Sequence, residues 1–344
     1  MIYRKWLLSL FVYPLVVAAQ PLSLPVKLID RKPEHQIDVY IGSQLFTSFL
    51  YPDSLEKPVL FPIYDAGNLR VTRGFPRNPQ PGEPTDHPHH LGCWLTFENV
   101  NGIDFWNNSY AIPAEKKAGY GRIKTDSILS FSGGNKGSLQ YHAQWINLAG
   151  QVMLEETTRF VFSGNDQERI IDRITDLKAD TDILFADAKD GLFGLRLTRE
   201  LQIPEKTNQS FTDNKGNVTI VKKDSLSNGN YLTSEGKTGD SAWSTRGRWC
   251  KVFGQVGKDS VSITIFDHPK NPNYPTFWHA RGYGLFAANP LGEKIFTQGK
   301  SSLNLHLKKG ETIRFLYRVL IQNGRKTEST VQLNRMSDQF GQDY

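Results

Sequence analysis

The chain has 344 residues, 38% of them hydrophobic, which is enough for one large domain or two small ones with a sizeable buried core. Its formal charge of +6 falls by about 2 once Arg4 and Lys5 are set aside, and the other basic residues are interleaved with acidic ones. That pattern argues against a nucleic-acid partner, and the only two cysteines, Cys93 and Cys250, exclude a disulfide scaffold.

Taken in order, the chain begins with Arg4 and Lys5 ahead of an apolar run, Trp6 to Val17, that ends in Val17-Ala18-Ala19. This is the pattern of a secretory signal peptide cut after Ala19, so 1–19 is expected to be a signal and 20–344 a single domain. The run is too short to cross a bilayer of roughly 30 Å, and no later stretch is long and apolar enough. A periplasmic or secreted protein without a membrane span is expected. In such a compartment Cys93 and Cys250 can pair, while their apolar surroundings suit free thiols as well.

Apolar alternation around a Gly42-Ser43 turn predicts a hairpin over 36–51, and 57–64 and 68–73 continue the strand pattern. The proline- and glycine-rich segment 74–84 is expected to be an ordered loop. Strands follow at 127–132, 138–148, 153–163 and 168–177, separated by glycine-bearing turns, and again within 181–197. The polar interval 202–239 suggests a long surface loop or weak hairpins. Strands resume at 249–255, 261–267, 302–307 and 312–322, and only 326–340 looks helical, with Val331, Leu333 and Met336 on one side. So many short strands point to a large antiparallel sandwich.

Asp86-His87-Pro88-His89-His90 places three imidazoles and a carboxylate within five residues. An extended backbone sends His87 and His89 to one side and Asp86 and His90 to the other. Imidazole exchanges protons near neutral pH and ligates metals when neutral, so the cluster suits acid–base work or a metal on His87, His89 and His90. The spacing matches no strong zinc signature, and a hydrogen-bonded loop that fixes its own shape is the plainer alternative.

Within Thr276 to Pro290, an extended strand puts His279, Arg281 and Tyr283 on one face, where they must line a wet cleft or be fully paired. Upstream, Asp267-His268-Pro269 adds a carboxylate and an imidazole at a strand end, His268 itself reading as structural. Lys189, Asp190 and Arg196, and separately Arg246, sit among glycines in strand-like sequence. They suit a ligand carboxylate, sugar hydroxyls or ordinary surface ion pairs. No nucleophile elbow, phosphate-binding glycine loop or dinucleotide fingerprint occurs.

Together Val71-Thr72-Arg73-Gly74, Asp86 to Gly92, Val100 to Trp106, Lys189-Asp190-Gly191, Arg246 to Cys250, Asp267 to Pro272 and Trp278 to Gly292 resemble the PmoA-like family. These are exported bacterial proteins that carry a methane oxygenase name. Leu91 departs from the family, standing where it often has Arg. The resemblance implies a fold similar to the galactose mutarotase super-sandwich and a setting among exported proteins that process carbohydrates. Methane oxidation itself belongs to copper-dependent, membrane-embedded subunits, which this chain does not otherwise resemble.

The expectation is therefore an all-β protein: a large antiparallel β-sandwich with a short C-terminal helix, binding a saccharide on a concave sheet face. His/carboxylate acid–base catalysis is expected, as a hydrolase, lyase or epimerase, with His89 and His279 as the exchanging pair and Asp267 or Asp86 orienting an imidazole. Arg73, Arg196 and Arg281, with His87, His90, Lys189, Arg246 and Tyr283, are expected to hold hydroxyls or a carboxylate. Trp106 and Trp278 would stack on the sugar ring, and Glu98, Asp104, Asp187 and Asp190 supply the carboxylates that glycoside hydrolysis needs. No cofactor is expected unless a metal sits on the His cluster. A non-catalytic saccharide-binding protein and a metal-dependent oxidase are the competing classes.

Overall fold

The computed structural model describes residues 22–204, 208–212, 218–221, 226–324 and 328–344. The expected signal segment, parts of the polar 202–239 interval and the start of the expected C-terminal helix lie outside the described residues. No helix among the described residues is long and apolar enough to cross a membrane.

The alternating segments pair into two eight-stranded antiparallel sheets. The first runs, edge to edge, Val26–Arg31, Gln36–Ile41, Gln44–Leu50, Val59–Ile63, Cys93–Phe97, Gly191–Arg196, Leu285–Asn289 and Phe277–Ala280. The second runs Asn230–Thr233, Trp249–Val256, Asp259–Asp267, Thr312–Asn323, Glu168–Ala179, Val152–Gly164, Gly137–Ile146 and Arg122–Ser132. Period-two patterning explains which faces meet. Along Gly137–Ile146, Leu139, Tyr141, Ala143 and Trp145 are buried while the residues between them are partly exposed.

Aromatic pairs join the inner faces: Phe46 on Phe162, Phe49 on Tyr141 at 4.6 Å, Phe193 on Tyr317 at 4.9 Å and Tyr231 on Phe286 at 5.5 Å. Each such side chain contributes roughly 1.5–3 kcal/mol by leaving water. Cys93 and Cys250 lie one in each sheet, both buried and both free thiols.

Two expectations need correction. The strand expected at 68–73 is reduced to isolated bridges at Arg70 and Thr72, because a turn closed by Asp65 and Leu69 comes first. The helix is Thr330–Asp343, capped by Ser329, and it docks with Leu333 and Phe340 on Phe266, Leu316 and Leu320. Val331 is exposed instead of joining that stripe.

The first sheet carries the site on the face turned away from the inter-sheet core. Strand register aligns Trp94, Gly194, Ala287 and His279 across four neighbouring strands on that outer face. Leu91 and Trp106, from the connecting loops, complete a small second apolar cluster there with Leu50, Val59, Phe61, Trp94, Leu285 and Ala287.

Candidate functional site

The proline-rich segment 74–84 forms no strand, as its missing N–H donors require, and it returns the chain to the sheet at Asp86. Arg73 holds that return in place. It is fully buried, and its guanidinium donates to the carbonyls of Pro84 (3.3 Å), Asp86 (2.9 Å), His87 (2.9 Å) and His90 (3.2 Å) and to Asp86 Oδ1 (3.0 Å). The His87 carbonyl also accepts His90 N–H at 3.0 Å, so the guanidinium braces a turn that the backbone closes. Gly92 then brings the chain into the sheet at φ +61°, where a Cβ would stand 2.1 Å from the Leu60 carbonyl oxygen.

Arg196 reaches the same carboxylate from the Gly191–Arg196 strand, at 3.1 and 3.2 Å from its two oxygens. Burial alone would raise Asp86, but the hydrogen bond from His87 and the charges of Arg196 and Arg73 hold it well below the usual carboxylate range. An ionised carboxylate only accepts, so His87 Nδ1, which bonds to Asp86 Oδ2, carries the hydrogen and Nε2 is left for exchange. The His87 side chain is 41% exposed against 8% for Asp86, and its backbone sits at φ 47°, uncommon for a non-glycine residue.

Tyr283, His87, His90 and Trp94 form one column of rings, with centroids 5.4, 5.0 and 5.2 Å apart and each ring within 17° of parallel to the next. His89 stands edge-on to His90 at 4.2 Å and to His87 at 5.5 Å. Arg196 donates to His90 Nδ1 at 3.1 Å, which makes that nitrogen the unprotonated one. Burial, then the charge of His89, pushes His90 far down; burial, then Lys57, does the same to His89. Of the three rings, His87 is the most exposed. Faces and edges meet in this cluster rather than nitrogens, and no group of three or more His, Cys, Asp or Glu among the described residues is arranged to hold a metal.

Tyr283 joins the late segment to this cluster. It lies in the turn between Phe277–Ala280 and Leu285–Asn289, with the Arg196 guanidinium 4.8 Å and that of Arg281 5.9 Å from its ring. His279, buried on the Phe277–Ala280 strand, bonds through Nδ1 to the Lys189 carbonyl at 3.1 Å and stands 3.7 Å from Asp190 Oδ1. Burial, then Arg281 and Lys189, pushes it down to about 3, which favours the neutral ring.

Asp190 is the carboxyl beside His279. Burial raises it against the charge of Lys189, and it also feels the imidazole of His87. Glu98, raised by burial, accepts Asp190 N–H at 3.0 Å, and Asp104, also raised by burial, lies near Glu98 and accepts from Trp106 N, Asn107 N and Asn107 Nδ2. The early histidines and the 276–290 segment thus meet at one site.

Other expected residues lie elsewhere or are already engaged. Asp267 accepts from Asn271 Nδ2 at 2.7 Å and Thr276 N at 2.8 Å, so it fixes the 268–276 turn and orients no imidazole. Arg246 fastens the same turn through the Asn273 and Pro275 carbonyls and Glu293. Trp278 is fully buried in the inter-sheet core and Trp106 is buried against Trp94 and His90, so neither can stack on a sugar. Arg73 and Arg196 serve Asp86, while Asp187 caps the 294–304 segment. Lys189, exposed and 3.5 Å from Asp190, and the partly exposed Arg281 are the cations that face outward.

Three contributors carried no sequence signal. Trp94 sits inside an apolar strand, Asn107 in a loop, and Lys57, ahead of Pro58, looks like an ordinary surface lysine. Yet Lys57 is buried, donating to the Trp106 carbonyl at 2.9 Å.

A sequence profile described as a family of unknown function (DUF6807) matches residues 36–334. No curated protein matches the chain. Among solved structures, a galactose mutarotase related enzyme from Lactobacillus acidophilus shares 11% identity over 88% of this chain and 99% of its own, with a TM-score of 0.30. A galactose mutarotase-like protein from Clostridium acetobutylicum has the same identity and coverage and a TM-score of 0.36. An α-galactosidase from Geobacillus stearothermophilus, solved in complex with raffinose, shares 10% identity over 84% of this chain but 40% of its own, with a TM-score of 0.36. Likenesses at these values assign neither substrate nor reaction.

Proposed function

The chain belongs to the DUF6807 family, whose function is unknown, and we propose that it is an exported carbohydrate-active enzyme in which His87 and Asp190 exchange protons with a bound saccharide. The observation that carries this is the Asp86–His87 pair. A carboxylate held ionised by two buried arginines fixes the tautomer of an imidazole that reaches solvent. Positioned acid–base groups of this kind contribute roughly 10²- to 10⁴-fold in rate.

Burial raises Asp190 above its ordinary value against the charges of Lys189 and His87, which favours a carboxyl that can hold and return a proton. Lys189, Arg281 and the phenol of Tyr283 then hold hydroxyls around the reacting atoms. Removing one proton and returning another is common to hydrolysis, elimination and epimerisation of sugars, and the pair serves any of these. The signal pattern over 1–19 and the PmoA-like resemblance support export and a carbohydrate setting.

The test is product formation from a panel of oligosaccharides and polysaccharides by the wild type, His87→Asn and Asp190→Asn. The expected result is a product made by the wild type and lost in both variants while each keeps its circular dichroism spectrum. Full activity in His87→Asn would overturn the assignment. Saccharide binding that is flat between about pH 5 and 8, with no product from any glycan, would favour a non-catalytic binding protein instead.

A further inference from the structure

On its His89 side the ring cluster borders a cavity of about 50 Å³ lined by Lys57, His89, Glu56, Asn108, Ser109 and Tyr110 among others, room for more than a single water. Lys57 is 5% exposed and makes one hydrogen bond, to the Trp106 carbonyl, with its ammonium 5.4 Å from the Trp94 ring. An ammonium has three N–H donors, so most of its capacity is unmet. His89 Nε2, in the same wall, is buried and has no partner.

The lining carries one ammonium, Lys57, and one carboxylate. Its one carboxylate, Glu56, pairs with both Lys117 (3.2 Å) and Arg122 (2.8 Å), and Lys117 also donates to Asn108 Oδ1 and the Ser109 carbonyl. Lys57 donates to the Trp106 carbonyl and to neither Asn108 Oδ1 nor Glu56. A buried ammonium with one acceptor, at the wall of a cavity, fits a group that accepts hydrogen bonds and carries a negative charge.

We propose that this cavity is a carboxylate subsite and that the saccharide handled at His87 is a sugar acid, a uronate or an oligosaccharide bearing one. The inference rests on the saccharide reading of the His87 site. His89 links the two, since its ring lines the cavity and stands 5.5 Å from that of His87. Burial pulls the Lys57 ammonium down to about 7 against the opposing charges of Asp104 and Glu56, and a ligand carboxylate supplies the close counter-charge those two do not.

Calorimetric titration of the full chain with glucuronate, glucose and acetate tests this, using the wild type, Lys57→Met and, should that variant be unfolded, Lys57→Gln. Glucuronate is expected to bind the wild type at least about tenfold tighter than glucose and to lose about tenfold on removal of the ammonium, with glucose binding unchanged. Equal binding of glucuronate and glucose, unaltered in Lys57→Met, would overturn the subsite and leave the saccharide reading standing. Binding of neither sugar would overturn both, and acetate binding without glucuronate binding would overturn the sugar-acid assignment.

Discussion

The same tripeptide, Asp-His-Pro, occurs at Asp86-His87-Pro88 and at Asp267-His268-Pro269, and the fold gives the two opposite chemistry. Asp86 sits between two buried guanidiniums and is held ionised, while its histidine turns outward through a left-handed backbone. Asp267 is fully buried among neutral donors, and burial pushes it up to about 7. His268 is buried as well, edge-on to Phe340, with Nδ1 accepting from Lys270 N at 3.1 Å. The counter-charge separates them. With arginine beside it a buried carboxylate is a fixed anion able to orient an imidazole; without it, the same side chain serves a turn.

The largest effect should come from breaking the pair at its working end. His87→Asn is expected to lower turnover by roughly 10²- to 10⁴-fold, whereas His268→Asn should leave it within about twofold, as steady-state assays would show. Comparable losses in both would erase the distinction between the two sites.

Next in size is the cation. Arg73→Met takes one of two guanidiniums from the buried Asp86 carboxylate, leaving Arg196, and should cost about 1–3 kcal/mol in urea unfolding. A loss under about 1 kcal/mol would mean that Asp86 does not need its arginine.

The two aspartates should also impose opposite pH dependences. Asp267, raised from 3.8 to about 7, binds its proton more tightly folded than unfolded. The stability it contributes is complete below pH 3.8 and is lost as pH rises through about 7, a span worth at most about 4 kcal/mol. Asp267→Asn should flatten that fall in urea melts taken between about pH 4 and 7. Asp86, lowered in the folded state, contributes stability that is present above its ordinary 3.8 and lost as pH falls below it, so Asp86→Asn should flatten the acid limb instead.

The smallest effect is a control on both. Burial lifts the Cys93 thiol to about 12 and that of Cys250 well above its ordinary value. Cys93 begins the strand under the His87 site, and Cys250 pairs in register with Ile265, two residues before Asp267. Native protein should resist thiol alkylation at both positions, and fast labelling of either would reveal local opening of that site.

The sandwich was legible because its signal is local. Alternation at 138–148, 153–163 and 168–177 comes within two residues of the observed strands at either end. The shorter strands Val26–Arg31 and Phe277–Ala280 were not separated from their surroundings, since a few residues cannot display a period. In the site, residue type was legible and role was not. The histidines, Tyr283 and the arginines were all marked, but an arginine that holds a ligand and one that holds a loop share the same letter. Only the convergence of Arg73 and Arg196 on Asp86 shows that they position His87. Lys57 was invisible because its burial depends on loops from distant parts of the chain.

A crystal structure of the protein with glucuronate bound measures the central claim most directly. The expected result is a sugar within hydrogen-bonding reach of both His87 Nε2 and the Asp190 carboxyl, with its own carboxylate on Lys57. A sugar seated on the second sheet or beside the Asp267 turn, with His87 untouched, would contradict it.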